Sequence, residues 1–191
     1  MLNITFATGN EGKLAEARAI LGSGVEIKGT DFEVPEIQSL DPTVVATQKA
    51  RDYHTLIRGP LVVEDVALTF AALGGQLPGP YIDAFAKALG NNGIVDLLRG
   101  QDNRKAVAQT TLAYTPDGQA VEIFIGRIAG TIALKERGKN GFGWDPIFIP
   151  DEQPRTFAEM TLDQKNQYSM RAMAFLKFKK WLESEAGKLL K

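Results

Sequence analysis

The stretch LNITFATGNEGKLAEARAIL, at residues 2–21, changes its pattern of apolar residues halfway along its length. Apolar and polar residues alternate from Leu2 to Phe6, as in a strand, and apolar residues recur at helical spacing from Leu14 to Leu21. A strand therefore leads directly into a helix, and residues 8–13 form the junction. Strands and helices remain intermixed along the rest of the chain, which predicts an α/β fold.

The junction carries groups that suit a phosphate. The first turn of a helix presents free backbone N–H groups, and here a hydroxyl on Thr8 and an ammonium on Lys13 would join them. Gly9 and Gly12 would let phosphate oxygens approach the backbone closely. The alternative is an ordinary helix start with Asn10 as its N-cap and Lys13 in solvent. The spacing differs from that of a P-loop.

The composition narrows the class of protein. With 191 residues and 44% hydrophobic content, the chain is long enough to bury a substantial core. A net charge of −1 offers no general electrostatic surface for a nucleic-acid polymer, so a small phosphorylated ligand fits better. The absence of cysteine excludes disulfides and thiol catalysis, and a single histidine disfavours a zinc site. We expect a cytoplasmic protein without a membrane segment.

The order of predicted elements implies a mixed sheet. Two β-rich segments at 106–114 and 121–132 flank the turn Thr115-Pro116-Asp117-Gly118 and form a long antiparallel hairpin. Shorter strands are predicted at 25–28 and 61–63. Helices are predicted at 42–58, 81–89, 93–99 and 162–186, the last interrupted near Ser169.

Acidic residues suggest a metal site. Glu64 and Asp65 follow the apolar run 61–63, and ligand sites in α/β sheets lie beyond the carboxyl ends of strands. Two adjacent carboxylates there need a cation, and Mg²⁺ is the natural partner. The alternative is a solvated turn. Glu36, flanked by Pro35 and Ile37, is a third candidate, although it also fits a surface acid beside a proline.

An aromatic turn and two cations could serve the other end of a nucleotide. The segment Gly141-Phe142-Gly143-Trp144-Asp145-Pro146 offers aromatic faces for stacking and a carboxylate for a purine edge, or alternatively a tight turn whose rings fill the core. Lys165 and Arg171 could contact phosphate or base acceptors if a break separates them, because their spacing does not share one face of a continuous helix. The alternative is a solvated helix face.

Several segments, taken in chain order, carry a resemblance to a known family. They are Thr8-Gly9-Asn10 with Lys13, Val34-Pro35-Glu36, Val63-Glu64-Asp65, Leu73-Gly74-Gly75, Leu77-Pro78-Gly79-Pro80-Tyr81, Phe142-Gly143-Trp144-Asp145-Pro146, Thr156-Phe157-Ala158-Glu159-Met160, and Lys165-Asn166 with Ser169 and Arg171. Together they resemble the inosine triphosphate pyrophosphatase family, which clears deaminated purine nucleotides. The resemblance covers essentially the whole chain.

The resemblance implies a fold and an assembly. The family has an elongated α/β fold with a long, twisted central sheet and two lobes around a nucleotide-binding cleft. Residues 1–191 would form one such domain, and the usual assembly is a homodimer. The substrate would be a purine nucleoside triphosphate, with no membrane and no nucleic-acid polymer as partner.

The resemblance also implies roles for individual residues. Glu36 and Asp65 would hold Mg²⁺ with Glu64 in support, and Asp65 would also accept the proton of the attacking water; Asp65 and Glu64 are thus the expected catalytic residues. The residues expected to bind substrate are Thr8, Gly9, Asn10, Glu11, Gly12, Lys13, Lys49, Val66, Phe142, Gly143, Trp144, Asp145, Lys165, Met170 and Arg171. The reaction would be hydrolysis of the α–β anhydride of ITP, dITP or XTP to the monophosphate and pyrophosphate.

Departures from the family pattern concern the base. The usual Ser-His-Arg reads Ser169-Met170-Arg171, so a thioether replaces a hydrogen-bond donor. Val66 and Ala67 replace a small or hydroxyl residue and a glycine, and Asp83 replaces a lysine that often follows Tyr-Ile. Three alternatives therefore stand beside the main expectation: the same reaction with a shifted base preference, a nucleotide-binding protein that does not hydrolyse, and a phosphohydrolase that releases orthophosphate.

Overall fold

The structure, a computed structural model, describes residues 2–30 and 32–189. Its strands are β1 (Leu2–Phe6), β2 (Val25–Lys28), β3 (Leu61–Phe70), β4 (Pro78–Gly79), β5 (Lys105–Thr115), β6 (Glu122–Ile132) and β7 (Phe148–Pro150). Its helices are α1 (Glu11–Leu21), α2 (Pro42–Leu56), α3 (Ile82–Asp96), α4 (Leu162–Asn166) and α5 (Met170–Leu189).

The strands form one mixed sheet in the order β2-β1-β3-β5-β6-β7, with β4 also paired to β3. β1 is parallel to β2 and β3, and every other pairing is antiparallel. Ten consecutive residue pairs join β3 to β5, and ten join β5 to β6. The predicted mixed α/β class and the long hairpin are confirmed.

The third strand is longer than the apolar run 61–63 predicts. It continues to Phe70, so Glu64 and Asp65 lie within a strand and do not follow its end. The prediction of a strand end at this pair is wrong because β5 pairs with β3 along its whole length, including Glu64 opposite Leu112 and Asp65 opposite Thr111. Consecutive strand residues point to opposite faces of the sheet, and the two carboxylates therefore have different surroundings.

Buried apolar residues form three clusters. On one face, α1 and α5 pack on β1, β2 and the adjoining parts of β3, β5 and β6. On the opposite face, α2 packs on the first residues of β3 and the last of β5. The third cluster lies toward the other end of the long strands, where α3, β7 and residues 144–160 cover β3, β5 and β6. α5 joins two of the clusters, with Met170 in the third and Phe175 in the first.

The sheet has a gap along one edge of β3. β1 pairs with β3 only at Leu61 and Val62, and β4 pairs with it only at Leu68 and Thr69. Between these points the edge of β3 has no strand partner among the described residues. Glu64, Asp65 and Val66 consequently border an open cavity beside this edge.

The remaining predictions differ in detail. The two predicted helices at 81–89 and 93–99 appear as α3, which contains a kink at Gly90 with φ 65° and ψ 175°. The predicted break near Ser169 is confirmed and separates α4 from α5. In residues 2–30 and 32–189 we find no helix that is both long and apolar enough to cross a membrane.

Candidate functional site

A cavity of about 780 Å³ opens along the free edge of β3, between the β1–α1 loop, α2, α3 and the turn at 142–145. Fifteen of the predicted site residues line it: Thr8, Gly9, Asn10, Lys13, Glu36, Lys49, Glu64, Asp65, Val66, Phe142, Gly143, Trp144, Asp145, Met170 and Arg171. Three predicted site residues, Glu11, Gly12 and Lys165, are absent from the lining. The structure therefore brings together groups that are distant in sequence.

The β1–α1 loop begins helix α1 with the predicted N-cap, and its phosphate site stays a prediction. Asn10 is the N-cap of α1, and its Oδ1 accepts a hydrogen bond from the backbone N–H of Lys13 at 3.1 Å. The Thr8 hydroxyl oxygen accepts from the N–H of Asn10, also at 3.1 Å. These bonds fix the loop while Thr8, Gly9, Asn10 and Lys13 still face the cavity, at the positive end of the helix dipole. Capping and anion binding are compatible here.

Glu64 is the centre of a buried ion network on the α1–α5 face of the sheet. Its carboxylate lies 3.0 Å from Lys13 Nζ and accepts a hydrogen bond from Arg171 Nε at 2.7 Å. Burial alone would raise the pKa of Glu64, but Arg171 and Lys13 outweigh it and lower the pKa to about 2. Glu64 is therefore a permanent anion that holds the two cations in place.

Glu16, which the sequence analysis missed, extends this network. It lies on α1, is buried, and accepts from Arg171 Nη1 through one oxygen and from Lys165 Nζ at 2.9 Å through the other. In the sequence, Glu16 is marked only as a charged residue among the alanines and leucines of α1. A buried carboxylate at such a position requires cationic partners, and the chain supplies them from α4 and α5, about 150 residues away.

Lys165 is buried in the ion network and does not lie on a solvated helix face. Its ammonium is buried and donates to Glu16 at 2.9 Å and to Asp145 Oδ2 at 2.7 Å. Lys165 lies outside the cavity lining and holds Asp145, and its contact with a nucleotide stays a prediction. The hydrogen bonds that the described residues give to Asp145 reach Oδ2, which leaves Oδ1 without a donor among them.

Asp65 lies on the opposite face of β3, toward α2. The pKa of Asp65 is raised to about 7. Burial is the largest cause, Lys49 opposes it, and the nearby Glu36 and Glu64 add to it. Its Oδ2 is buried and has no hydrogen-bond partner among the described residues. Burial of a carboxylate oxygen without a hydrogen-bond partner costs free energy unless a ligand binds that oxygen.

The acids around Asp65 fit a magnesium ion that arrives with a phosphate ligand. No group of three or more histidine, aspartate or glutamate side chains with metal-site spacing occurs in the part of the chain that the structure describes. Mg²⁺ often takes one or two carboxylates, with water and substrate phosphates completing its shell. The unpartnered oxygen of Asp65 and the exposed Glu36 match this requirement.

Phe142 occupies the space that the absent side chain of Gly12 leaves. A Cβ on Gly12 would lie 2.6 Å from Phe142 Cδ1, closer than real contacts allow. The ring also lies against the cations of the network: its centroid is 4.8 Å from Lys165 Nζ and 5.2 Å from Arg171 Cζ. Gly12 thus admits an aromatic ring, where the sequence analysis expected it to admit phosphate oxygens.

Trp144, Met170 and Arg171 are buried residues that also line the cavity. Trp144 is nearly buried, packs edge-on against Phe148 with ring centroids 5.5 Å apart, and also lines the cavity. Met170 is buried and lines the same wall without a hydrogen-bond donor. Arg171 uses Nε, Nη1 and Nη2 in three hydrogen bonds to Glu16 and Glu64. A guanidinium has five N–H donors, so two remain for a ligand.

Comparisons with known proteins give a consistent result. A family model described as the Ham1 family matches residues 4–181. The chain is 44% identical over 186 residues to an inosine triphosphate pyrophosphatase of Emericella nidulans, covering 97% of this chain and 99% of that protein. It is 40% identical over 187 residues to a dITP/XTP pyrophosphatase of Methanopyrus kandleri, with the same coverage. The structure of a HAM1 protein from Coxiella burnetii superposes with a TM-score of 0.83 at 31% identity, covering 96% of this chain and 100% of that one.

Removal of the charge of Glu64 is expected to destabilise the protein strongly. Glu64→Gln leaves the buried Arg171 and the partly exposed Lys13 without their shared anion, and we expect a loss of about 3 kcal/mol at pH 7 in urea unfolding. The pKa of Glu64 is about 2 in the folded protein against an ordinary 4.5, so its stabilisation is complete above pH 4.5. The difference between wild type and variant should shrink as the pH falls from 4.5 toward 2.

A matched control for Glu64→Gln is Glu26→Gln, which breaks an exposed pair with Lys28. This control should change stability by less than about 0.5 kcal/mol. An equal and small effect of both substitutions would contradict the assignment of Glu64 as the centre of the network.

Gly12→Ala is expected to displace the Phe142 ring. The new Cβ overlaps Phe142 Cδ1, and the strain should cost about 1 kcal/mol or more in urea unfolding. In a double-mutant cycle, Gly12→Ala should cost less in a Phe142→Ala background, because the clash is then absent. The same cost in both backgrounds would show that the helix start, and not the ring, requires glycine.

Proposed function

The chain belongs to the Ham1 family, and on this basis we propose that it is a Mg²⁺-dependent nucleoside triphosphate pyrophosphatase acting on deaminated purine nucleotides. Relatives named inosine triphosphate pyrophosphatase and dITP/XTP pyrophosphatase cover nearly the whole chain. The observation that carries the proposal is the unpartnered, buried Asp65 beside the cationic β1–α1 loop. The substrates are ITP, dITP and XTP, and the products are the monophosphate and pyrophosphate.

The phosphate end of the substrate is assigned to the β1–α1 loop. Thr8, Gly9, Asn10 and Lys13 line one side of the cavity, at the positive end of the α1 dipole. Lys13 is held by Glu64, so its position is set before the substrate arrives. Such preorganised cations stabilise the negative charge that develops when an anhydride bond breaks.

The attacking water is assigned to Asp65. Its pKa of about 7 suits a proton acceptor near neutral pH, and its Oδ2 faces no competing protein donor among the described residues. Glu36 and Asp65 are the residues that would hold Mg²⁺. When bound, the metal would neutralise phosphate charge and help to orient the water. Glu64 supports the reaction indirectly by positioning Lys13 and Arg171.

The base end is assigned to the turn at 142–145 with Arg171 and Met170. Phe142 and Trp144 offer apolar ring surface, and Asp145 Oδ1 offers an acceptor. The two unused N–H donors of Arg171 can reach a carbonyl at the purine 6-position, which adenine lacks. Val66 adds an apolar contact from the free edge of β3.

Met170 favours a second candidate, in which the reaction is unchanged and the base preference is weaker. Its side chain lines the cavity without a donor, so Arg171 would discriminate alone. A panel of ITP, XTP, GTP and ATP with identified products tests both candidates. Release of orthophosphate, or binding without turnover, would contradict the proposed reaction.

The assembly and location of the protein are also proposals. We propose one two-lobed domain, because β3 and β5 contribute to the clusters at both ends of the sheet. A homodimer is supported by the uncovered sheet face around Val107, Ala129 and Arg127, where an apolar residue is 40% exposed. A cytoplasmic location is supported by the absence of cysteine.

Asp65→Asn should abolish pyrophosphate release while raising the stability of the metal-free protein. The folded-state pKa of Asp65 is about 7 against an ordinary 3.8, so the fold loses stability as the pH rises from 3.8 to about 7, and the full cost is present above 7. The neutral amide removes this cost, and the melting temperature at pH 8 should rise by a few degrees. Mg²⁺ should no longer shift it. Retained turnover in this variant would overturn the role of Asp65.

Met170→His should sharpen discrimination at the purine 6-position. A ring N–H in this wall can donate to the carbonyl of ITP but not to the amine of ATP. We expect the ratio of kcat/KM for ITP over ATP to rise about tenfold, the value of one added hydrogen bond. Met170→Leu, which adds no donor, is the control. A similar ratio in both variants would show that position 170 does not contact the base.

A further inference from the structure

Lys49 is bound to the same carboxylate that is proposed to hold the metal. Its Nζ donates a hydrogen bond to Glu36 Oε1 and contacts the backbone carbonyl oxygen of Glu64 at 3.4 Å. The Lys49 side chain is 16% exposed, and that of Glu36 is 47% exposed. The ammonium therefore lies inside the cavity, while the carboxylate reaches it from the rim.

The segment that carries Glu36 is fastened to α2 beside Lys49. Tyr53 lies one helical turn after Lys49, and its hydroxyl donates to the carbonyl oxygen of Phe32 at 2.8 Å. Val34, between Phe32 and Glu36, packs against the apolar cluster that contains Tyr53. This attachment keeps Glu36 within reach of α2 and of the adjacent strand residue Asp65.

Lys49 is thus positioned as a counter-ion at the free edge of β3. The carbonyl of Glu64 belongs to this edge, and the next residue is Asp65, whose Oδ2 has no partner among the described residues. Lys49 binds one oxygen of Glu36 and gives no hydrogen bond to Asp65 Oδ2. A divalent cation that takes both carboxylates brings two positive charges beside the Lys49 ammonium and competes with it for the charge of Glu36.

We propose that Lys49 is an exchangeable counter-ion of the metal site, which holds Glu36 in the metal-free protein and is displaced when Mg²⁺ binds. This inference rests on the proposed function, because it takes Glu36 and Asp65 as the metal-binding pair. The displaced ammonium, on a flexible four-carbon side chain, becomes free to contact phosphate oxygens in the same cavity.

The exchange has a thermodynamic consequence. Mg²⁺ alone must compete with Lys49 for Glu36, so the metal binds weakly by itself. When a nucleotide is present, the released ammonium gains phosphate partners, and the competition is relieved. Mg²⁺ and nucleotide therefore bind with positive coupling, each raising the affinity for the other by the same factor.

Lys87 provides a matched control for the general effect of charge. It also lines the cavity, but its ammonium is paired with the exposed Asp83 at 2.7 Å, one turn away on α3. Loss of this lysine removes one positive charge from the same cavity without freeing Glu36. A purely electrostatic effect on Mg²⁺ would therefore be similar in both lysine variants.

The experiment is calorimetric titration of Mg²⁺ into wild type, Lys49→Met and Lys87→Met, with and without α,β-methylene-ITP, which cannot be hydrolysed at that bond. Without nucleotide, Lys49→Met should bind Mg²⁺ about tenfold more tightly than wild type, and Lys87→Met should stay within about twofold. With the analogue, the nucleotide-induced gain in Mg²⁺ affinity should be smaller in Lys49→Met than in wild type. Lys49→Gln is the second variant if the methionine protein does not fold.

The outcomes separate the exchange from the proposed function. Unchanged Mg²⁺ affinity in Lys49→Met, or an equal gain in Lys87→Met, overturns the exchange while the metal site stands. Mg²⁺ binding that is the same in wild type and in Asp65→Asn overturns the metal site itself, and the exchange with it.

Discussion

The guanidinium of Arg171 lies between two buried carboxylates, Glu16 and Glu64, and the cavity is arranged around this contact. The three residues come from α5, α1 and β3, so their ion pairs join a helix to the sheet and the two helices to each other. Burial of a charge is costly unless it is paired, and each member of the network therefore requires the others. Lys13 and Lys165 complete it at its two ends. The ion pairs that balance the buried charges therefore also hold α1, α5 and β3 together beside the cavity.

The alternation of β3 gives two adjacent acids opposite properties. Glu64 faces α1 and α5, where two cations keep its pKa at about 2. Asp65 faces α2, where burial and neighbouring acids raise its pKa to about 7. One carboxylate thus remains charged and structural, and the other is poised to exchange protons. This division depends on the pair lying within a strand, because a turn would not hold the two side chains on separate faces.

The sequence predicted most of the elements but only part of the site. Periodicity and turn residues were sufficient for β1, α1, the long hairpin and the break at Ser169, because these depend on local preferences. The extension of β3 past Val63 was missed, since its charged residues are stabilised by partners elsewhere in the chain. Glu16 and the burial of Lys165 were missed for the same reason: the ion pairs that explain them join residues about 150 positions apart. The contact of Phe142 with Gly12 is likewise invisible without the fold.

Met170 and Arg171, the first two residues of α5, differ in their ties to the buried ion network. In the proposed function, Arg171 contacts the base through the N–H donors that its bonds to Glu16 and Glu64 leave unused, so a change there would disturb base recognition and stability together. Met170 lines the same wall, but as an apolar residue it gives no hydrogen bond to the network. A substitution at 170 can add or remove a donor toward the base while the ion pairs remain intact. Under the proposed function, a substitution at 170 would change base preference without breaking an ion pair, but it would also change the packing of the third cluster, in which Met170 is buried.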